Sequence, residues 1–529
     1  MTSAGLKMED ETNDETKKNA DQRFAEEGGR DERQQRLSDQ RSGRDHEQVA
    51  MNRRELLLGS AAAGMATALP AQQKAPAFTG LNGRPPVSQR HFRSAVIEDA
   101  IAEVCSGVHS PELAQIFTNC FPNTLDTTVF PGSRQGKPDT YVITGDIDAM
   151  WLRDSAAQVW PYLEFATQDP ALSRLIEGVI RRQARLIQID SYANAFTRDP
   201  DDPPLPWAVH DETVMRPGVG ERKWEIDSLC YPVRLAHGYW KATGSTAPFD
   251  ESWMQAATRI VATFREQQRT TNPGPYHFER RTRTPTGTLG LSGYGNPIRP
   301  NGMICSGFRP SDDACTYPLF VPANLFAALT LERISEISAT VYHEQALAQE
   351  CTRFAHEVRS AVMRFGTIQH ARFGQILAYE IDGYGNALSM DDANAPGLLS
   401  LSYLELLRRD DPLYQRTRAF ALSLDNPYFF RGSAGEGIGG PHIGLGFIWP
   451  MSITMRALSS DREDEIVACL RTLCTTTAGT NFMHESFQKD NPANYTRPWF
   501  AWANGLFGEL VLKLHRERPE LLRQFTVPA

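Results

Sequence analysis

A chain of 529 residues with 41% hydrophobic and 9% aromatic content can bury a full-sized core, which excludes a wholly disordered or fibrous protein. Its 55 basic and 64 acidic residues leave a net charge of -9, so a general electrostatic grip on phosphate backbones is excluded and no nucleic-acid partner is expected. Length alone does not fix the domain count, because large helical folds exceed the usual figure of about 150 residues per domain.

In chain order, residues 1–50 carry 9 Lys/Arg and 13 Asp/Glu, with Phe24 the one aromatic residue among Phe, Trp and Tyr. Such a head cannot offset its ordering entropy and is expected to be disordered. Residues 51–71 follow, with Asn52-Arg53-Arg54-Glu55 ahead of an apolar run from Leu56 to Leu69. This pattern resembles a twin-arginine export signal, which predicts a periplasmic or secreted protein. The run is shorter than the roughly 20 residues that span a bilayer, so no permanent membrane anchor is expected. A linker over 72–87 leads into a single helical domain over 88–529.

In that domain, Leu172, Leu175, Ile176, Val179, Ile180, Leu186 and Ile187 recur at helical spacing and predict a helix over 171–189. Further helices are predicted near 92–107, 112–121, 152–166, 232–243, 252–268, 317–332, 341–364, 397–409, 414–424, 447–458, 463–477 and 499–515. Strand signals are confined to 140–144, 276–278 and 376–381. The fold class is therefore all-α with small β additions. The eight cysteines have no C-x2-C spacing, which argues against a zinc site and favours buried free thiols.

Polar and aromatic residues concentrate in four loops. The first is Thr144-Gly145-Asp146-Ile147-Asp148-Ala149-Met150-Trp151-Leu152-Arg153-Asp154. Its carboxylates, guanidinium and indole suit a polyol, although an Arg153–Asp146 or Arg153–Asp154 ion pair could merely fix the loop. The second, Trp224-Glu225-Ile226-Asp227-Ser228, places Asp227 ahead of a helix predicted to begin at Pro232, where it could act as an N-cap. The third contains Arg309, Asp312 and Asp313, which could also be helix caps. The Gly-rich stretch 432–440 lacks a phosphate-binding ending and reads as a rim loop. In the fourth, His484, Glu485, Arg497 and Trp499 lie close in sequence. There is no second His for an H-E-x-x-H zinc site and no G-x-S-x-G around Ser486. Separated carboxylates among Trp and Arg fit glycoside hydrolysis, which uses one acid and one base or nucleophile; other acid–base chemistry stays open.

The motifs 145–158, 225–232, 484–487 and 496–504 together resemble glycoside hydrolase family 125, and the likeness runs from about residue 88 to the C-terminus. The resemblance implies an (α/α)6 toroid, exo-acting α-1,6-mannosidase activity on a mannose-containing glycan, inversion of configuration, and no metal or other cofactor. Carried over by motif position, Asp227 is the expected general acid and Glu485 the general base. Asp146, Trp151, Arg153, Asp154, Arg309, Asp312, Asp313, His484, Arg497 and Trp499 are the expected sugar-holding residues. Asp227 would be protonated by virtue of a partly apolar pocket, and Glu485 would orient a water, with the carboxyls roughly 6.5–9.5 Å apart. The Gly- and Pro-rich region 272–300 leaves the outer subsites open. A hydrolase or lyase for another sugar, or a non-catalytic carbohydrate-binding protein, are the alternatives.

Overall fold

Side-chain oxygens placed just ahead of apolar-periodic segments start many of the helices. In the computed structural model, whose residues 83–527 are described here, Ser94 caps α1 (Ala95–Gly107) and Ser110 caps α2 (Pro111–Cys120). Asp169 accepts from two main-chain amides at the start of α5 (Pro170–Ile189), and Asp250 caps α7 (Glu251–Glu266). Proline at the first turn of α2 and α5 removes an amide that would have no intrahelical acceptor. The short α3 (Asn123–Thr127) and α4 (Leu152–Val159) lie between them, and α6 spans Ile226–Thr243. After α8 (Val321–Ile337) come α9 (Gln345–Phe365), α10 (Pro412–Ala421), α11 (Pro450–Leu458), α12 (Glu463–Thr475), α13 (Ala501–Glu517) and α14 (Pro519–Gln524).

The protein is thus helix-rich, as composition and periodicity predict. Helices α4, α6, α8 and α13 are nearly buried all round: α4 packs on α6, α6 on α8, and α13 on both α4 and α11. The amphipathic helices α5, α7, α9 and α12 present one apolar stripe each and pack outside them, α9 against α8 and α12 against α11. Among the described residues, no helix is long and apolar enough to cross a membrane. All eight cysteines are unpaired, Cys105 partly exposed and the rest buried. The charged head and the export signal lie outside the described residues, as does most of the 72–87 linker.

Several local expectations are corrected. Helix α6 begins at Ile226, so Asp227 lies in its first turn and Pro232 in its interior; Glu225 occupies the cap position without a side-chain cap bond. The α-helix predicted over 152–166 stops at Val159, and a 3-10 helix over Trp160–Phe165 follows it. No α-helix forms over 397–409. There the Asp391 carboxylate takes the amides of Leu398 and Leu399 at 2.7 and 2.9 Å, and Glu405 has φ of 63°, so a 3-10 turn at Leu399–Leu401 replaces it. The 276–278 segment is not a strand, whereas 376–381 contains parts of two.

Among the described residues, the β additions are six small sheets of two or three strands. Strands β1 (Val129–Arg134) and β2 (Lys137–Val142) form a hairpin under α5. Strands β3 (Met150–Trp151), β4 (Ala195–Phe196) and β5 (Val219–Glu221) align Trp151 with Ala195 and Ala195 with Glu221. Strands β6 (Leu319–Phe320), β9 (Glu380–Ile381) and β10 (Ala387–Leu388) form a third sheet. β7 (Thr367–His370) with β8 (Gly374–Leu377), and β11 (Phe429–Arg431) with β12 (Glu436–Ile438), are hairpins. The last sheet joins β13 (Phe447–Ile448), β14 (Ser486–Gln488) and β15 (Asn491–Thr496). Two-residue strands are too short to produce a period-2 pattern, which is why most of them escape sequence analysis.

The contact of α5 with β2 is backbone-close at Gly178, where an added Cβ would lie 2.3 Å from Thr140 Oγ1 and 2.8 Å from its main-chain nitrogen. Gly178→Ala is expected to destabilise the protein by about 1–3 kcal/mol through overpacking, despite alanine's better helix propensity. Urea unfolding of the two proteins measures this.

Candidate active site

The four polar loops converge because they approach or include the N-terminal ends of packed helices. Strand β3 delivers Arg153 and Asp154 into the first turn of α4, and Asp227 occupies the first turn of α6. Glu485 immediately precedes β14, while Arg497 and Trp499 connect β15 to α13. Helix N-termini favour carboxylates, so Asp154 and Asp227 gain from the orientation of the surrounding amides.

At the centre, the buried Arg153 guanidinium faces three carboxyls. Its Nη1 donates to Glu225 Oε2 at 2.6 Å and to Asp227 Oδ2 at 3.2 Å, and its Nε lies 3.5 Å from Asp154. Ser228 Oγ donates to the same Glu225 oxygen at 2.8 Å, and Thr144 Oγ1 donates to Asp154 at 2.9 Å. One positive charge cannot hold three buried negative ones, so protons must be retained. Burial, only partly opposed by Arg153, pushes Asp227 up to about 6. Burial drives Glu225 well above the carboxylate range, with the neighbouring Asp312 reinforcing it. Asp312 itself is lowered: burial is outweighed by Lys223 and Arg153 and by the hydrogen bond from Glu225. Asp227 Oδ1 is buried without a hydrogen-bond partner, the free side of a group whose other oxygen is held.

A continuous polar chain connects the two expected acids. From Asp227 it passes through Arg153, Asp154 and Thr144; the carbonyl of Thr144 then accepts from Arg497 Nη2 at 3.4 Å, and Arg497 Nη1 reaches Glu485 Oε1 at 3.4 Å. Arg497 also binds Asp146, which the sequence had allowed as a partner for Arg153. Gly145, at φ +127°, lets this loop approach Trp499, whose ring would lie 3.3 Å from an added Cβ.

The other expected residues divide. Asp313 lies 3.5 Å from His442, an exposed residue just past the Gly-rich rim that sequence analysis did not select. Burial alone would lower His442, but Asp313, with Glu485 and Asp312 nearby, raises it to about 9. Neither Asp312 nor Asp313 caps a helix. Arg309 is buried against Glu380 at 2.6 Å, and both His484 nitrogens face main-chain carbonyls, of Pro498 at 2.9 Å and Thr477 at 3.1 Å. His484 also stacks on Tyr495 at 3.9 Å, and burial lowers its pKa. Trp151 is buried in a small apolar cluster, its indole nitrogen without a partner. Glu225, Lys223 and Asn194 join the site unselected by sequence analysis; the E-x-D spacing was the available signal for the first.

Buried carboxyls gathered around one guanidinium, with raised proton affinity at Asp227, suit acid–base chemistry. Comparison with known proteins defines the family. Residues 110–512 match the model described as metal-independent alpha-mannosidase (GH125). The Meiotically up-regulated gene 157 protein of Schizosaccharomyces pombe is 41% identical over 461 residues, covering 83% of this chain and 90% of that protein. A solved Streptococcus pneumoniae structure, from a study of metal-independent α-mannosidases and in a non-productive substrate complex with α-1,6-mannobiose, is 38% identical. It covers 81% of this chain and 100% of the other at a TM-score of 0.78. The chain belongs to glycoside hydrolase family 125, the metal-independent α-mannosidases.

Removing Arg153 would leave its carboxyls without a counter-charge. Arg153→Met is expected to cost about 3–5 kcal/mol of stability, as for a broken buried ion pair, read by urea unfolding.

Proposed function

We propose that this protein is an inverting, exo-acting α-1,6-mannosidase with Asp227 as general acid and Glu485 as general base, on an (α/α)6 toroid. The observation that carries the reading is Asp227, sealed from solvent, with one oxygen on Arg153, the other unengaged, and an affinity for its proton raised to about 6. An acid in this state can protonate a departing glycosidic oxygen. Glu485 lies at the other end of the Arg153–Asp154–Thr144–Arg497 chain, so four groups intervene. Inversion requires the two carboxyls to stand roughly 6.5–9.5 Å apart, with room for a water between Glu485 and the sugar. Asp146, Asp154, Asp312, Asp313, His442, Arg497 and Trp499 would hold the terminal mannose. The α-1,6 linkage is supported by the disaccharide bound to the pneumococcal relative. The succession α13–α4–α6–α8, with α11 on α13 and outer helices behind, supports the toroid.

Because the acid must enter the reaction protonated, kcat/KM is expected to fall as pH rises through about 6. Asp227→Asn should lose most on natural linkages and least on activated aryl mannosides, and Glu485→Gln should abolish turnover while retaining substrate binding. Proton NMR of the first-formed sugar, with α-1,2-, α-1,3- and α-1,6-mannobiose in parallel, tests the assignment. The expected product is β-mannose from the 1,6 isomer; α-mannose, or cleavage of the other isomers alone, overturns it.

The resemblance of residues 51–71 to a twin-arginine export signal supports activity on glycans outside the cytoplasm. N-terminal sequencing of the exported protein, expected to begin after Ala68 or Ala71, checks this address.

A further inference from the structure

Two rim segments lie outside the acid–base machinery: the Pro-rich loop 198–218 and the Gly- and Pro-rich region 272–300. Leu205 and Ala208 of the first pack with Ala149, Trp151 and Ala195 in an apolar cluster separate from the main core. The loop is thereby seated against the strand that leads into Arg153 and Asp154. It carries Trp207, which remains 36% exposed.

The indole is fixed at its polar edge. Its Nε1 donates to Glu221 Oε1 at 3.0 Å, and Arg280 Nη2 donates to the same oxygen at 2.8 Å. Arg280 also grips Asp211 with a two-pronged contact at 2.7 and 2.6 Å. Main-chain bonds between Glu212 and Glu279 complete the clamp between the two segments. The other Glu221 oxygen accepts from Asn194 Nδ2 at 3.0 Å, and that amide also reaches Asp312 Oδ1 at 2.9 Å. Trp207 is therefore coupled through Glu221 and Asn194 to Asp312, a charge felt by Asp227.

An indole held by its N–H edge, with part of its surface open, costs little to order further and offers an apolar face to the C–H side of a sugar ring. The sugar that departs in glycoside hydrolysis leaves beside the general acid. We propose that Trp207 is the platform for the hexose on the leaving-group side of the scissile bond, and thus a determinant of preference for disaccharide or longer substrates. This rests on the reading of Asp227 as the acid of an α-mannosidase.

The test compares wild type, Trp207→Ala and Trp207→Phe on α-1,6-mannobiose and on α-mannosyl fluoride, whose leaving group has no ring to stack. Trp207→Ala is expected to lose about ten-fold in kcat/KM on the disaccharide, chiefly through KM. Trp207→Phe should recover most of it, and both should match wild type on the fluoride. Equal losses on both substrates would make Trp207 a structural residue and overturn the proposal, as would an undiminished Trp207→Ala on the disaccharide. The underlying reading fails separately, in the wild-type arm: no mannose released from α-1,6-mannobiose sinks that reading and the platform with it.

Discussion

Arg153 shared among Asp154, Glu225 and Asp227 is the constraint on which the site depends. A lysine could not serve in its place, since a planar fork is needed to face carboxyls in different directions at once. The mismatch between one guanidinium and three acids is not a defect of packing. It raises the proton affinity of Glu225 well above the carboxylate range, where Asp312 takes the hydrogen bond, and that of Asp227 to about 6. A carboxyl whose proton affinity is raised above the ordinary carboxylate range is what general-acid chemistry requires, and here it follows from electrostatics and burial together.

The scaffold makes this arrangement affordable by distributing its cost. Helix first turns receive Asp154 and Asp227, Thr144 and Ser228 supply hydroxyl donors, and short sheets pin the loops that cannot be helical. Some backbone strain falls at the site as well: Asp312 and Arg497 adopt positive φ values of 64° and 46° without being glycine. His484, clamped between two carbonyls and stacked on Tyr495, fixes the residue next to Glu485. Its contribution to the site is one of position.

Sequence periodicity located most long helices to within a few residues, because amphipathic patterns and Ser, Asp and Pro start signals are local. It failed where a side chain competes with the backbone, as Asp391 does by capturing the amides of Leu398 and Leu399. It also failed at the start of α6, whose cap position is Glu225, without a side-chain cap bond, while the cap-type residues Asp227 and Ser228 lie inside the first turn. The expected Asp227 and Glu485 were legible through long motifs and their family resemblance, whereas Glu225 offered only its E-x-D spacing with Asp227 and His442 offered no signal. Their meaning depends on neighbours more than 70 residues away, Arg153 for Glu225 and Asp313 for His442.

The order of residues by itself determined a helix-rich chain, its acid- and arginine-bearing loops, and the family to which those motifs point. Only the tertiary structure decided which ions meet. It gave Asp146 to Arg497 and committed Arg309 to Glu380, and it confined several carboxyls with too few cations to neutralise them. Helical and capping preferences act over a few residues and can be read along the chain. The proton affinity of a buried acid is set by desolvation and by charges brought near it through folding, and no local pattern encodes that field.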